Sequence, residues 1–420
     1  MKRSKLLSIL SLLFALMLIA AACADDDDDG ENGAEDGGDD PTAVCDEDEF
    51  GCVEIAEGDP ITIGTLLVIS GENASLGQDS QNGVAIAADM REPANEVAGH
   101  PIEFDHQDDL CTAEGGQSGA QALAANEQVV GVIGTSCSSA GEPAAQILSE
   151  AGIAIISPSN TAPSLTAPDT HQPFYLRTAH NDEIQGTAMA DFASSELGAQ
   201  SAATIHDGSP YAEGLANVFA TAFEEAGGTV TAQEAVQVGD RDMRPVLTSI
   251  AADAPDILYY PVFVAEGGAI TSQARETTEL SETDLAGADG MLTPDWISAA
   301  GERNAEGVYL SGPDLEFSGS FYEEDFLPAY EEEFGKPTSV FHAHAFDATN
   351  ILLDAIEQVA IEDGGTTFIP RTALKDQMFS TSGYEGIIGE LTCNETGDCN
   401  PDASISVSVV ENGDFSRIWP

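Results

Sequence analysis

The side chains best suited to hold a small molecule fall in loops that follow short apolar runs. Ser136-Cys137-Ser138-Ser139-Ala140-Gly141-Glu142 follows the run Val129–Thr135, and Pro158-Ser159-Asn160-Thr161-Ala162-Pro163 follows Ile153–Ser157. Hydroxyls and free backbone N–H groups at a helix start favour an anion such as a carboxylate. Ser139 and Glu142 have the spacing of a capping box, and Pro163 suits the start of a short helix. Further on, the loop after Ala202–His206 sets Tyr211 on a rim, and Leu285–Gly290 carries Asp289. Each hydroxyl taken alone is accounted for by helix capping. Their coincidence at the ends of several runs points to a site. Hydroxyls from one half of the chain, with an aromatic and an acid from the other, would bridge a zwitterion such as an α-amino acid.

Catalytic patterns are missing. The sequence has no G-x-S-x-G, no Walker A loop, no G-x-G-x-x-G and no H-E-x-x-H. Neither an enzyme nor a cofactor is expected. His342-Ala343-His344 raises a metal site, but alternate residues share a face only on a strand. This stretch reads as a loop entering a helix, so no metal is expected. Asp240-Arg241-Asp242 reads as a solvated turn.

The elements that must position these loops alternate regularly. Strands are predicted at 61–69, 101–107, 129–135 and 153–157, with helices at 78–96, 113–128 and 139–151. After Arg177 the rhythm restarts, with helices at 184–197, 212–226, 243–252 and 267–277 between strands at 202–206, 229–237 and 257–262. Helical stretches follow at 321–334 and 342–361, then short strands with a hairpin turn at Asn412-Gly413. Two such series predict an α/β fold of two doubly wound, Rossmann-like lobes. In open parallel sheets ligands sit at the carboxyl ends of strands, where the loops above lie.

The chain of 420 residues suits two domains, and 42% hydrophobic residues provide a substantial core. With 13 Lys+Arg against 74 Asp+Glu, the net charge of −61 excludes nucleic acid and anionic headgroups as partners. Such a surface also fits a saline medium, where salt screens self-repulsion. The basic start Met1–Lys5, the apolar stretch Leu6–Ala22 and Cys23 read as a signal peptide over 1–22. Residues 23–59, rich in Asp, Glu and Gly, read as an acidic tether without a core. Of seven cysteines, setting Cys23 aside leaves six, an even number suited to disulfides in an oxidising compartment. Fifteen connectivities are open, and the local set Cys45–Cys52, Cys111–Cys137 and Cys393–Cys399 is the simplest.

Leu18-Ile19-Ala20-Ala21-Ala22-Cys23 resembles a bacterial lipoprotein signal, which implies lipidation of Cys23 and anchoring to the bilayer outside the cytoplasm. From Pro60 to Phe415 the chain resembles the type I periplasmic binding proteins of the leucine/isoleucine/valine-binding class. The resemblance is carried by Ser70-Gly71 through Gly77, Asp108-Asp109-x-Cys111, Ile133-Gly134-x-x-Cys137-Ser138, Leu176-Arg177-Thr178 and His206-Asp207-x-x-x-Tyr211-x-Glu213-Gly214. It continues through Gln273-Ala274-Arg275 and Ala305-Glu306-Gly307.

The resemblance implies that Ser138 and Thr161, with backbone groups near Ser159, hold a ligand α-carboxylate. It places Asp289 at the α-ammonium, Tyr211 as a cover from the second lobe, and Leu76, Phe263 and Phe341 around the ligand side chain. It also implies a Cys111–Cys137 disulfide and three crossings between lobes, near 179–182, 312–313 and 388–391. Lobe I would be 60–179 with 314–389, and lobe II 180–312 with 390–420. The implied partners are an amino acid and an ABC-type permease, with the chain a monomer. A ligand sensor on the same fold, or a binder of an amide, urea-type or other small solute, is the alternative.

Overall fold

A computed structural model describes residues 42–317 and 319–420. The chain begins there with α1 (Ala43–Glu47) and β1 (Cys52–Ala56). Next come β2 (Ile61–Leu67), α2 (Ala74–Asp89), β3 (Glu96–Val97), β4 (His100–Asp108), α3 (Ala113–Ala125), β5 (Val129–Gly134), α4 (Ser138–Glu150), β6 (Ala154–Ser157) and β7 (Tyr175–Arg177). The second series is α5 (Asp182–Ser195), β8 (Ser201–His206), α6 (Pro210–Glu225), β9 (Thr229–Ala235), α7 (Arg244–Ala251), β10 (Ile257–Tyr259), α8 (Val264–Glu276), β11 (Asp284–Gly287), α9 (Pro294–Ala300), α10 (Glu302–Ala305) and β12 (Tyr309–Pro313). The remainder is α11 (Leu327–Phe334), α12 (His342–Val359), β13 (Ile361–Asp363), β14 (Thr366–Pro370), α13 (Arg371–Phe379), β15 (Tyr384–Gly386), β16 (Gly389–Leu391), β17 (Ile405–Glu411) and β18 (Asp414–Trp419).

Each series builds one sheet with the same winding. The first sheet runs β3-β4-β2-β5-β6-β7 and the second β18-β17-β12-β11-β10-β8-β9. In both, the first strand of the series lies between the next two parallel strands, β2 between β4 and β5 and β8 between β9 and β10. All pairings inside each series are parallel except that of β3 with β4. This winding opens a crevice at the carboxyl ends of the central strands. The central strand β2 has Ile61, Ile63, Leu66 and Leu67 all enclosed, as a parallel strand covered by helices on both faces requires. The two-residue turn at Asn412-Gly413 has φ of 56° and 79°, the left-handed pair that closes β17 onto β18.

Two expectations about boundaries need correction. Residues 23–59 do not all form a tether: β1 pairs antiparallel with β14 from Cys52↔Pro370 to Ala56↔Thr366. Val53 and Ile55 alternate inward and are 2% and 1% exposed. Averaging composition over an acidic stretch hid this alternation. The signal peptide, Cys23 and the first part of the tether lie outside the described residues.

The third crossing falls at 400–404 rather than 388–391. Residues 397–399 stay beside β7, with Arg177 N–H donating to Gly397 O and Cys399 N–H to Arg177 O, both among bonds of 2.9–3.0 Å. The chain then passes to the second sheet, where Asp314 N–H donates to Ser404 O at 3.0 Å. The cause is the fully enclosed Arg177, whose guanidinium pairs with Asp398 at 2.8 Å and donates to Ala162 O at 2.9 Å. The chain leaves the first sheet after β7 and the second after β12. The three local disulfides all form.

Candidate functional site

Loops from both sheets converge on one cleft. From the first lobe come Val68 after β2, Ser138 after β5, and Ser159 and Thr161 after β6. From the second come Tyr211 after β8, Phe263 after β10 and Asp289 after β11. Leu76, at the start of α2, is set against the β2 end because Gly77 packs on the main chain there. A Cβ on Gly77 would lie 2.0 Å from Val68 O. Leu76, Phe341 and Tyr211 are buried in one apolar cluster that spans both lobes, with Phe263 packed against it. Tyr211 and Phe263 have ring centroids 5.0 Å apart, and Phe341 stacks on His180 at 6.2 Å.

The hydroxyl side is laid out as follows. Ser138 Oγ accepts from Ala162 N–H at 3.2 Å, so its own proton is free to donate. No side chain caps α4, and the expected capping box is absent. Instead Ser139 donates to Cys111 O at 3.1 Å and Glu142 accepts from Ser164 at 2.9 Å. The Cys111–Cys137 bridge holds the chain immediately ahead of Ser138, which leaves Ser139 facing the Cys111 carbonyl. Ser159 turns its hydroxyl back to Ser136 O at 2.9 Å, and its N–H donates to Ser157 Oγ at 3.2 Å. Both polar groups of Ser159 thus brace the loop. Thr161 donates to Asp182 at 3.1 Å.

The acidic side is larger than the sequence reading found. Asp289 Oδ1 accepts from Tyr211 Oη at 3.0 Å and from Gln185 Nε2 at 2.8 Å. Gly290 N–H donates to Tyr211 Oη at 3.1 Å, which orients the phenol. Asp182 and His180 complete the group: one ring nitrogen and one oxygen from each carboxylate lie within 4.8 Å of one another. By residue type this trio also suits a divalent cation. Burial pushes the Asp182 carboxyl well above the usual range and Asp289 adds to this, while Thr161 and Arg177 oppose it. Burial also raises Asp289, against His180, Gln185 and Tyr211. Burial pushes the His180 imidazolium down, with Asp289 opposing. Tyr211 is held as a phenol by burial beside Asp289 and Asp182.

The three residues missed from the sequence, His180, Asp182 and Gln185, sit at the first crossing and in the first turn of α5. Asn181 caps that helix, accepting from Glu183 N–H, so Asn-Asp-Glu reads as an ordinary helix start. His342 has a protein partner at each ring nitrogen. Its Nδ1 faces Asp79 at 3.0 Å and its Nε2 faces Tyr322 Oη at 2.8 Å. Arg241 is more than a solvated turn: its guanidinium reaches both oxygens of Glu72 in the other lobe, at 2.6 and 2.5 Å. Ser75 and Thr293 also meet across the cleft at 3.1 Å.

At the cleft mouth a cavity of about 420 Å³ is lined by Asn73, Cys111 and Ser139 from one lobe and by Pro210, Phe263 and Glu266 from the other. A groove of about 590 Å³ elsewhere, along Leu292, Lys336 and Phe415, carries none of the converging groups.

A family model described as periplasmic binding protein matches residues 60–413. The chain belongs to the type I periplasmic binding proteins. Its relatives are of the Leu/Ile/Val-binding class, as the motif order implied. A Leu/Ile/Val-binding protein homolog from Brucella melitensis is 25% identical over 338 residues, covering 80% of this chain and 88% of the relative. The crystal structure of a leucine-binding protein from Thermotoga maritima has a TM-score of 0.76 at 27% identity, covering 85% and 97% of the two chains. A branched-chain amino acid transporter substrate-binding protein from Streptococcus pneumoniae, in complex with isoleucine, has a TM-score of 0.73 at 24% identity, covering 86% and 100%. The protein is therefore a solute-binding protein of the kind that serves transporters, a family that works outside the cytoplasm. No helix among the described residues is long and apolar enough to cross a membrane.

The disulfide beside Ser138 gives a direct test. Cys111 and Cys137 are 26 residues apart, and a loop of that size is stabilised by about 3.5 kcal/mol. The C111S/C137S protein is expected to lose roughly that much in urea unfolding. A loss under about 1 kcal/mol would show that the loop is held by Asp109, which accepts from Ser136 N–H at 2.6 Å.

Proposed function

We propose that this protein captures an α-amino acid with a branched-chain-like side chain and presents its closed form to an ABC-type permease. The observation that carries this reading is the pairing across one cleft. Ser138, at the uncapped start of α4, accepts from Ala162 N–H, and the adjacent Thr161 donates to the buried Asp182, which lies beside Asp289. The hydroxyl side offers donors to a carboxylate, and the acids accept from an ammonium. Leu76, Phe263 and Phe341 supply an apolar wall for the side chain. Thr161, already bonded to Asp182, links the two halves of the site. The Thermotoga relative is a leucine-binding protein, which points the same way. We assign no catalytic step to the cleft.

Contacts made with both lobes exist only in the closed arrangement, so ligand binding shifts the population toward closure. Arg241–Glu72 and Ser75–Thr293 belong to that state, and the exposed ion pair adds a small, salt-sensitive contribution. In this reading the mature chain is a monomer held at the membrane by lipidated Cys23, with the acidic residues after it as a spacer.

A thermal-unfolding screen of the twenty amino acids tests the proposal. Leucine, isoleucine or valine is expected to raise the melting temperature saturably. At a hundredfold excess over Kd the stabilisation is about 2.7 kcal/mol. No response to any amino acid would overturn the reading.

A further inference from the structure

Two buried atoms of the acidic group have no hydrogen-bond partner: Nδ1 of His180 and Oδ1 of Asp182. Both residues are 0% exposed. A buried acceptor left bare costs free energy unless something arrives to satisfy it. Several neighbouring atoms are committed. Asp182 Oδ2 takes the Thr161 proton. Gln185 Nε2 donates to Asp289 Oδ1 and to Ser311 O at 3.1 Å, so Gln185 Oε1 is left to accept, and it faces His180 Nε2. That fixes the tautomer. His180 Nε2 carries the proton, and Nδ1 is a lone pair.

The spacing matches a primary ammonium. Three acceptors around one nitrogen at about 2.8 Å, in tetrahedral directions, stand about 4.6 Å apart. One ring nitrogen of His180 and one oxygen each of Asp182 and Asp289 lie within 4.8 Å of one another. An ammonium has three N–H donors, and this group sets one imidazole nitrogen and two carboxylate oxygens at that spacing.

We propose that His180 is the third acceptor for the ligand's ammonium and so a specificity-determining residue, making the cleft select primary amines over N-alkylated ones. The proposal rests on the amino-acid reading above. An N-methyl group removes one donor and leaves a buried acceptor unpaired, the situation that polar sites reject most strongly. The cage also works only while unprotonated. A proton on His180 turns its Nδ1 into a donor and sets a second positive charge beside the ammonium. A proton on Asp182 or Asp289 removes an acceptor charge. The groups facing this trio are Arg177, paired with Asp398, together with His344, Tyr211 and Tyr259. Burial favours the neutral form of all three cage residues. For His180 this is the accepting form.

The test uses the metal-stripped mature protein with L-leucine and N-methyl-L-leucine, titrated by calorimetry. The wild type is expected to prefer leucine by roughly a hundredfold or more. His180→Phe, which keeps a ring against Phe341 but has no acceptor, is expected to weaken leucine binding at least tenfold and to shrink the preference at least tenfold. His180→Asn, which restores an acceptor, should recover much of the preference. His180→Ala serves the same purpose as His180→Phe if the larger ring disturbs folding. Leucine binding by the wild type with an unchanged preference in the acceptor-free variants overturns the role of His180 alone. Absence of leucine binding that returns on adding Zn²⁺ overturns it in favour of a metal site. Absence of any amino-acid binding, with or without metal, overturns the reading beneath it.

Discussion

Asp289→Asn is expected to weaken amino-acid binding by roughly ten- to a hundredfold while leaving the unliganded protein as stable as before, or more stable. The two halves of this result have one cause. Asn keeps an oxygen that accepts from Tyr211 and Gln185, so the local hydrogen bonds survive. It removes the charge that an ammonium needs, and a hydrogen bond to a buried charged group is worth about 1.5–3 kcal/mol. In the empty cleft that charge is a liability, because Asp289 is 5% exposed and lies beside Asp182. The site thus holds two close carboxylates that oppose folding and favour a cation. Calorimetry with leucine and a melting curve without ligand check both halves. Unchanged affinity would remove Asp289 from the site. A large loss of stability would make it a structural residue.

Arg177→Met is expected to cost about 3–5 kcal/mol, the range found when one partner of a buried ion pair is removed. Arg177 is 0% exposed and ties four groups from two loops: Asp398, Thr166, Asn160 O and Ala162 O. Met fills much of the volume but leaves Asp398 4% exposed with no cationic partner. The second-site change Asp398→Asn should recover part of the loss, since a neutral amide is cheaper to bury. Denaturant unfolding of the two single variants and the double variant checks this. A cost below about 1 kcal/mol, or no recovery in the double variant, would show that the crossing is held by its main-chain bonds instead.

Most of the architecture was legible because it rests on repetition. β2, β5 and β6 read as apolar runs and the helices between them as periodic stretches, and the second series repeats the pattern. The loops at strand ends then followed from topology, and of the residues they carry Thr161 bonds Asp182 and Tyr211 bonds Asp289. Three features were not legible, each because a local signal had two meanings. Asp182 carries the charge expected in any first helical turn, and only the fold brings it beside Asp289. Val53 and Ile55 alternate within a stretch whose composition is acidic overall. The loop closed by Cys393–Cys399 has no apolar run to assign it to a sheet. Its place is decided by Asp398 meeting Arg177, 221 residues away.

The pairing of β1 with β14 decides where a mechanical load enters the molecule. A pull on the chain ahead of residue 42 reaches α1, is shunted by Cys45–Cys52 directly to the first residue of β1, and falls on a five-residue ladder with β14. That ladder is rooted by Val53, Ile55 and Ile369 in the core shared with β2 and α12. Tension therefore ends in the first lobe and never crosses the cleft. If the chain is held at its start as proposed above, the second sheet carries none of that load.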